Sequence, residues 1–186
     1  MMPRTSDKRE RLLEAARELI HRQGYSPTTL ADIADASGVP LGNVYYYFKT
    51  KDEIAAAVID EYTAELRTRL QGWEVNPDPR QRLIGFVEMV GSNRDSVARH
   101  GCPVGSLCQE LNKDRALLSD KADSMLKTQL KWITKQFRLM GKEDATDLGH
   151  QLMAMLQGVS LLANALNSTI VVDRQIRRLK QWLRTL

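Results

Sequence analysis

Residues 38–54, GVPLGNVYYYFKTKDEI, concentrate side chains that can recognise a polyanion. Asn43 offers an amide that both donates and accepts hydrogen bonds, and the phenols of residues 45–47 can donate to phosphate oxygens. Lys49 and Lys51 add positive charge directly after the tyrosines. Three adjacent phenols cannot all point into the single buried stripe of a helix, so the outward ones are expected to face a partner.

A helix built from Leu41 at ~100° per residue divides this stretch into two faces. Val44 and Phe48 fall together and predict packing against the preceding helices, with Leu41 and Tyr45 flanking them. The outward face carries Gly42, Asn43, Tyr46 and Tyr47. Such a face suits a DNA major groove, where asparagine pairs with adenine and apolar groups contact thymine methyls. The alternative is a helical adaptor that binds a protein through Tyr45–Tyr47, because tyrosine is also favoured at protein interfaces.

The elements that must position these residues are short helices. The first helix is indicated by helical spacing of Leu12, Ala15, Ala16, Leu19 and Ile20. Thr29 followed by Asp32 predicts a capping-box start for a second helix, which ends at Ser37-Gly38. A third helix restarts after Pro40, and two helices joined by so tight a turn form a helix-turn-helix.

The remaining sequence also predicts helices. Their approximate ranges are 51–71, 80–98, 114–139, 143–168 and 173–185, with a further short helix starting near Pro103. No period-2 pattern indicates a strand, so the predicted class is all-α. We expect a DNA-binding helix-turn-helix domain at residues 1–50 and a larger helical domain for ligand binding and dimerisation at 51–186, with a helix continuing across residues 49–51.

Composition and charge indicate an ordinary globular protein. A net charge of +4, with 27% charged and 42% hydrophobic residues, is ordinary for a globular protein and permits a polyanionic partner without requiring one. No apolar run approaches the ~18–20 residues that span a bilayer, and the first residues lack a signal-peptide core. We therefore expect a cytoplasmic protein that is not inserted in a membrane. Its three histidines and two cysteines lack metal-ligand spacing, so neither metal nor cofactor is expected.

The segment TTLADIADASGVPLGNVYYYFKTKDEI resembles the DNA-binding segment of the TetR family of bacterial transcription regulators. That family's pattern reads roughly T-x-x-x-I-A-x-x-x-G-V-x-x-G-x-x-Y-x-Y-F-x-x-K. Its places are occupied here by Thr29, Ile33, Ala34, Gly38, Val39, Gly42, Tyr45, Tyr47, Phe48 and Lys51. The resemblance covers about the first 65 residues, whereas the rest of the chain is similar to the family only in length and helical character.

The resemblance implies a homodimer on a near-palindromic double-stranded operator, usually acting as a repressor. By position, it places Thr28 and Thr29 at phosphate, through their hydroxyls and a helix N-terminus. It likewise places Tyr47 and Lys51 at phosphate, with Lys49 adding charge nearby. Residues near base edges would be Leu41, Gly42, Asn43 and Tyr45, and the helical wheel adds Tyr46 to the DNA-facing set.

The resemblance also implies a pocket for a small-molecule effector among the C-terminal helices. Methionine and aromatic side chains suit an adaptable apolar cavity. Candidate lining residues are Phe86, Met89, Val90, Cys102, Leu107, Met125, Trp132, Met153 and Gln157. Taken singly, each of them is more typical of an ordinary helical core, because methionine and tryptophan at helical spacing are more often core than pocket.

Cys102 and Cys108 carry a sharper hypothesis. Cys102 precedes Pro103 at the predicted start of a helix, where a thiol becomes more reactive. It would then sense an electrophile or oxidant, with Cys108 as the resolving thiol. The alternative is a structural thiol packed against the next helix. A third possibility, Cys102 as an enzyme nucleophile, needs a positioned histidine and an orienting group, and we expect no enzyme.

Residues 148–166, LGHQLMAMLQGVSLLANAL, are apolar over more than one helical stripe. Two long C-terminal helices packed against their twofold mates would form a four-helix bundle, so we expect a homodimer through the helices near 143–185. Close approach would be allowed by Gly149, Ala154, Gly158, Ala163 and Ala165, and Trp182 would add to the interface with Ile176, Leu179 and Leu183. The alternative is that this helix is buried within one subunit.

Overall fold

The structure, a computed structural model, describes residues 5–113 and 118–186. Within these ranges it contains ten α-helices and no β-strand, which confirms the predicted all-α class. The helices are α1 Thr5–Gln23, α2 Leu30–Ser37, α3 Leu41–Tyr47, α4 Lys51–Glu74, α5 Pro79–Ser92, α6 Arg94–His100, α7 Pro103–Lys113, α8 Ser119–Leu139, α9 Ala145–Ala165 and α10 Thr169–Thr185.

The chain divides into two compact units. The first comprises residues 1–64 and 106–123, and the second comprises residues 65–105 and 124–186. The first unit therefore combines α1–α3 with segments that are distant in sequence. The predicted boundary between residues 50 and 51 separates a DNA-binding domain from a ligand-binding domain, whereas these two units are defined by compactness. The functional boundary therefore stays a prediction.

The core of the first unit forms where α1 packs against α2 and α3. Leu12 and Ala16 of α1 are buried together with Ile33 of α2 and Val44 of α3. The predicted inner face of α1 is confirmed, since four of its five residues are buried and Leu19 is partly buried against the same cluster. Val44 and Phe48 lie in this cluster as the helical wheel predicted. The buried face thus fixes which side of α3 remains available to a partner.

The second unit has its own hydrophobic core, built from α5, α6, α9 and α10 with parts of α4 and α8. Trp73, Phe86 and Trp132 form an aromatic cluster in it, with ring centroids 5.7–5.9 Å apart. Such spacings are typical of offset and edge-to-face ring contacts. Leu152, Leu156 and Val159 of α9 are buried in the same core, and so is one face of α10.

Two predicted helices differ from the structure. The helix expected over 80–98 is interrupted at Asn93, whose side chain donates a 2.7 Å hydrogen bond to the Met89 carbonyl and so competes with the helical ladder. The helix expected to cross residues 49–51 is also interrupted, because Phe48 is extended, with φ −138° and ψ 118°. The predicted start near residue 114 lies outside the described residues.

None of the helices in the described part of the chain combines the length and the apolar character that crossing a membrane requires. Likewise, no group of three or more His, Cys, Asp or Glu side chains in residues 5–113 and 118–186 is placed to hold a metal ion.

Candidate nucleic-acid interface

The N-terminus of α2 is closed by a reciprocal pair of hydrogen bonds. The Asp32 backbone N–H donates to the Thr29 hydroxyl at 3.1 Å, and the Thr29 N–H donates to the Asp32 carboxylate at 2.8 Å. This confirms the predicted capping box. The Thr29 hydroxyl also donates to that carboxylate at 2.8 Å. These bonds from the hydroxyl and then from the backbone stabilise the carboxylate and lower the pKa of Asp32 below its ordinary value.

The turn between α2 and α3 requires a glycine. Gly38 has φ +63° and ψ 24°, a left-handed conformation, and its N–H bonds to the carbonyls of Ala34 and Asp35. The Arg11 guanidinium donates to the Ser37 carbonyl oxygen at the same helix end. A Cβ at position 38 would lie 2.8 Å from an Arg11 nitrogen, so a larger residue would disturb this contact as well as the backbone. α1 thereby holds the turn that orients α3.

α3 presents a mixed apolar and polar face to solvent. Tyr46 is 73% exposed, Tyr45 47% and Leu41 40%, and Gly42 is exposed beside them. Asn43 is half-buried. Val44 is fully buried on the opposite side of α3, so packing against the core determines which face of the helix is exposed.

Tyr45 and Tyr47 differ from their predicted places on the helical wheel, which put Tyr45 at the border of the buried face and Tyr47 outward. Tyr47 is half-buried and packs against the core of the first unit, whereas Tyr45 is exposed. α3 has only seven residues and ends at Tyr47, where the extended Phe48 turns the chain inward. A wheel assumes continuous helix and equal cover on both flanks, and neither condition holds here. Tyr46 and Tyr47 remain in contact through an edge-to-face pair, with centroids 5.0 Å apart.

Thr28 and Lys51 are engaged within the protein. Thr28 is fully buried, and its hydroxyl donates to the Gly24 carbonyl at 2.6 Å. The predicted phosphate contact by this hydroxyl does not fit that placement, and Thr29 is the residue at the helix end. The Lys51 ammonium lies 3.1 and 3.0 Å from the carbonyl oxygens of Tyr25 and Ser26. The structure therefore gives Thr28 and Lys51 a part in shaping the turn before α2.

Lys49 is exposed and lies just beyond α3. Its ammonium donates to the Tyr45 carbonyl at 2.6 Å, so it lies at the C-terminal end of α3. The Lys49 backbone N–H donates to the Glu53 carboxylate at 2.7 Å, and the Glu53 N–H donates to the Thr50 hydroxyl at 3.1 Å. Sequence reasoning missed this arrangement at the start of α4, although Thr50-x-x-Glu53 is a capping-box signature.

Comparison with known proteins agrees with this geometry. The model for bacterial regulatory proteins of the tetR family matches residues 12–58, which contain most of α1, all of α2 and α3, and the start of α4. The HTH-type transcriptional regulator TtgR of Pseudomonas putida is 38% identical over 174 residues, covering 86% of this chain and 83% of TtgR. The chain belongs to the TetR family.

Other relatives are similar over most of the chain. The HTH-type transcriptional regulator LmrA of Bacillus subtilis is 28% identical over 169 residues, covering 88% of this chain and 90% of LmrA. A TetR transcriptional regulator from Chloroflexus aurantiacus has the same fold, with a TM-score of 0.85 at 22% identity over 98% of this chain and 97% of its own. As a TetR-family member, the protein is a DNA-binding transcription regulator and not an enzyme.

Eight of the nine residues predicted to line the effector pocket of this TetR-family protein lie in the second unit. Phe86, Trp132 and Met153 are buried in the core of the second unit, and Met89 and Val90 pack against it in part. Met125 is also fully buried. Leu107 is buried too but belongs to the first unit. The structure thus brings together five of the nine candidates in one core, and their role as pocket lining stays a prediction.

Cys102 and Gln157, the two other candidates, contact each other. Cys102 is half-buried; its sulfur lies 3.6 Å from the Gln157 side-chain nitrogen and accepts the Gly105 N–H at 3.3 Å. Cys108 is buried and donates from its sulfur to the Ala122 carbonyl at 3.1 Å. Neither cysteine forms a disulfide bond. The two cysteines therefore occupy different environments, and only Cys102 is partly accessible.

Proposed function

We propose that this TetR-family regulator is a homodimeric repressor that leaves a near-palindromic operator when a small apolar or thiol-reactive molecule binds. The observation that carries the proposal is the exposed face of α3, where Leu41, Gly42, Tyr45 and Tyr46 stand outward while Val44 anchors the helix. A second helix of a helix-turn-helix enters the major groove with its N-terminal residues foremost. A DNA-binding regulator acts where the chromosome is, so we place this protein in the cytoplasm.

Within the operator complex, we assign base contacts to the N-terminal part of α3. Leu41 can contact a thymine methyl, Gly42 allows close backbone approach, and Asn43 can pair with adenine. Tyr45 and Tyr46 extend the same surface. We assign phosphate contacts to Thr29, with the α2 N-terminus, and to Lys49, Tyr47 and the remaining ammonium hydrogen of Lys51.

The exposed end of α9 supports dimerisation. Leu161, Leu162 and Leu166 are 52–67% exposed, and Ile170 at the start of α10 is 59% exposed. Exposed apolar residues this close in sequence are typical of an interface. Ala154, Gly158 and Ala165 lie at accessible positions on α9, whereas Gly149 and Ala163 are buried within the subunit. The dimer surface that we propose is therefore narrower than the sequence predicted.

The buried face in the second half of α10 is not part of that proposed surface. Ile176, Leu179 and Leu183 are buried in the core of their own subunit, and the Trp182 ring packs against Phe137 with centroids 6.2 Å apart. The expectation that Ile176, Leu179 and Leu183 face a twofold mate is therefore wrong. Their side chains stabilise the fold of the second unit instead. Trp182 is half-buried, and its place in the interface stays a prediction.

For the effector, we propose that the aromatic cluster of Phe86 and Trp132 marks an apolar binding region, with Met153 adaptable in shape. Cys102 would add a thiol to the same unit. Effector binding lowers DNA affinity only to the extent that the effector prefers the state that does not bind DNA. A thiol adduct at Cys102 is one route to such a preference, and non-covalent binding of an apolar molecule is the other.

The test is selection of DNA from a random duplex pool by the purified full-length protein, followed by fluorescence anisotropy on the selected and scrambled sequences. We expect a palindromic consensus and affinity that falls steeply as salt rises. Tyr46→Ala should weaken binding without unfolding the protein. A protein adaptor would enrich no sequence and show no salt slope, and either result would contradict the proposal.

A further inference from the structure

Glu110 of α7 lies against the turn that joins α1 to α2. Its carboxylate accepts the backbone N–H of Tyr25 at 2.8 Å through Oε2 and that of Ser26 at 2.6 Å through Oε1. The partners are 85 and 84 residues apart in sequence. They nevertheless belong to the same compact unit, since residues 106–123 group with residues 1–64. A carboxylate that accepts two consecutive backbone N–H groups holds that piece of chain in one orientation.

Gly24 makes this approach possible. Its φ is +94°, and a Cβ at this position would lie 3.1 and 3.2 Å from the two carboxylate oxygens of Glu110. A side chain at position 24 would therefore be strained in its backbone and crowded against the carboxylate. The absence of a side chain at Gly24 thus leaves room for the Glu110 carboxylate, although the two residues come from opposite halves of the chain.

Lys51 holds the same two residues from the other side. Its ammonium donates to the carbonyl oxygens of Tyr25 and Ser26, while Glu110 accepts their N–H groups. One acid and one base thus bond the backbone groups of both residues, and the Tyr25 carbonyl also accepts the Thr28 N–H at 3.2 Å. This turn leads into Thr29, the N-cap of α2, and its geometry sets the angle at which α2 leaves α1.

The segment that presents Glu110 is itself tied down within the first unit. The Cys108 sulfur donates to the Ala122 carbonyl at 3.1 Å, and the Asn112 amide donates to the Asp123 carboxylate at 2.8 Å. Lys121 forms an exposed ion pair of 2.7 Å with Asp60 of α4. These contacts connect α7, the start of α8 and α4. These contacts therefore hold α7, and with it the Glu110 carboxylate, in position.

We propose that Glu110 is a positioning residue for operator recognition, acting through the turn at residues 24–26 without itself contacting DNA. The inference rests on the proposed role of α2 and α3 in operator binding. It predicts that removing this acidic charge changes operator affinity in the direction opposite to the usual one. Removing an acidic charge from a DNA-binding unit ordinarily strengthens binding, because the phosphates repel it. Removing the charge of Glu110 should instead weaken recognition of the operator.

The experiment compares full-length wild type with Glu110→Gln on a duplex selected by the wild type and on a scrambled duplex. The glutamine keeps the shape but places an NH₂ group where one N–H needs an acceptor. We expect about a tenfold loss of operator affinity, the size associated with one charged hydrogen bond. Affinity for the scrambled duplex should stay the same or rise. Glu14→Gln, an exposed acid on α1, removes the same charge as a control and should cause no loss.

Amide hydrogen exchange gives a readout that a general loss of stability would not reproduce. In Glu110→Gln the amides of Tyr25 and Ser26 should exchange faster, while those in the middle of α1 and α2 keep their protection. Glu110→Asp, which keeps the charge on a shorter side chain, should recover part of the operator affinity.

The outcomes separate this inference from the proposed function. If Glu110→Gln binds the operator as tightly as wild type or more tightly, the positioning role is overturned and the regulator proposal stands. If melting temperature collapses and both duplexes are lost in parallel, Glu110 serves stability alone, which also overturns it. If the wild type itself selects no sequence, the proposed function fails and this inference fails with it.

Discussion

The Lys51 ammonium makes two kinds of contact with Tyr25. It lies 3.1 Å from the carbonyl oxygen and 4.2 Å from the centre of the phenol ring of that residue. The Tyr25 hydroxyl in turn donates to the carboxylate of Asp52, the residue after Lys51. Because an ammonium has three donors and two of them serve Tyr25 and Ser26, one hydrogen remains for a phosphate oxygen. Lys51 therefore combines a structural role with a proposed DNA contact.

Lys51→Met should reduce both stability and DNA affinity, because it removes the ammonium from the turn and from the phosphate. The matched control is Lys49→Met, which removes an exposed charge. That variant should reduce the slope of log K against log salt by about 1. It should leave the melting temperature nearly unchanged, because the bond from the Lys49 ammonium to the Tyr45 carbonyl is exposed to solvent. Calorimetry and salt-dependent anisotropy separate the two. An unchanged melting temperature for Lys51→Met would mean that its ammonium serves phosphate only.

Val44 and Tyr46 are two residues apart on α3 but have opposite environments, 0% and 73% exposed. Val44→Ala should lower the free energy of unfolding by about 2 kcal/mol, from lost burial and the cavity left behind. Tyr46→Ala should change it by less than about 0.5 kcal/mol, because it is a surface substitution. Urea titration measures both values.

Operator binding provides the opposite ranking for these two variants. Tyr46→Ala should lose affinity at a protein concentration and temperature where it is fully folded. Val44→Ala should bind the operator with nearly wild-type affinity when measured without denaturant and calculated for the folded fraction of the protein. If Tyr46→Ala bound the operator as wild type does, the outward face of α3 would not be the reading surface.

Sequence alone was sufficient where the controlling interactions are local. The apolar spacing of Leu12, Ala16 and Ile20 predicted the buried face of α1, because such a face needs only one helical period. Thr29 and Asp32 predicted their capping box for the same reason, since both partners lie within one turn. The family pattern over residues 29–51 then indicated DNA as the partner that we propose for the exposed face of α3.

The sequence did not predict side-chain positions that depend on contacts between segments distant in the chain. The exposure of Tyr45 and the partial burial of Tyr47 were not predicted, because the helical wheel carries no information on where α3 ends or what covers each flank. Ile176, Leu179 and Leu183 form an obvious apolar stripe, but a stripe does not say whether its own subunit or a partner covers it. Glu110 gave no signal at all, since a single carboxylate 85 residues from Tyr25 belongs to no local pattern.

The capping carboxylate of Asp32 predicts acid sensitivity of the first unit. Its pKa is lowered by hydrogen bonds from Thr29, so its folded value lies below its unfolded value. The stabilisation is therefore fully present above the ordinary aspartate pKa of about 4 and is lost as pH falls through the lowered folded value. Thr29→Ala removes these bonds and should lower the melting temperature by about 2–4 °C at neutral pH.

The same variant should differ less and less from wild type as the solution is acidified below about pH 4, because protonated Asp32 no longer benefits from Thr29. Melting curves at neutral and acidic pH measure this convergence. Asp35→Asn, an exposed acid on the same helix, serves as the control for general charge effects. A constant gap between Thr29→Ala and wild type at every pH would mean that the carboxylate does not carry the effect.

The exposed leucines at the end of α9 and directly after it predict a dimer that a single charge can dissociate. Leu162→Glu or Leu166→Glu would place a carboxylate in the proposed apolar interface, where burying an unpaired charge is costly. We expect the wild type to sediment as a dimer and each variant as a folded monomer with weakened operator binding. Gln181→Glu adds the same charge at an exposed position of α10 and should remain dimeric. Dimeric sedimentation of both leucine variants would place the interface elsewhere.

The different exposure of the two cysteines predicts different reactivity. Cys102 is half-buried, whereas Cys108 is 3% exposed with its sulfur bonded to the Ala122 carbonyl. N-ethylmaleimide should therefore label Cys102 first in the native protein, and Cys108 only after unfolding, as read by mass spectrometry of peptides. If the thiol acts as a sensor, the labelled wild type should leave the operator and Cys102→Ser should stay bound under the same treatment. Labelling of Cys102 that leaves operator affinity unchanged would assign it a structural role and leave non-covalent effectors as the route to release.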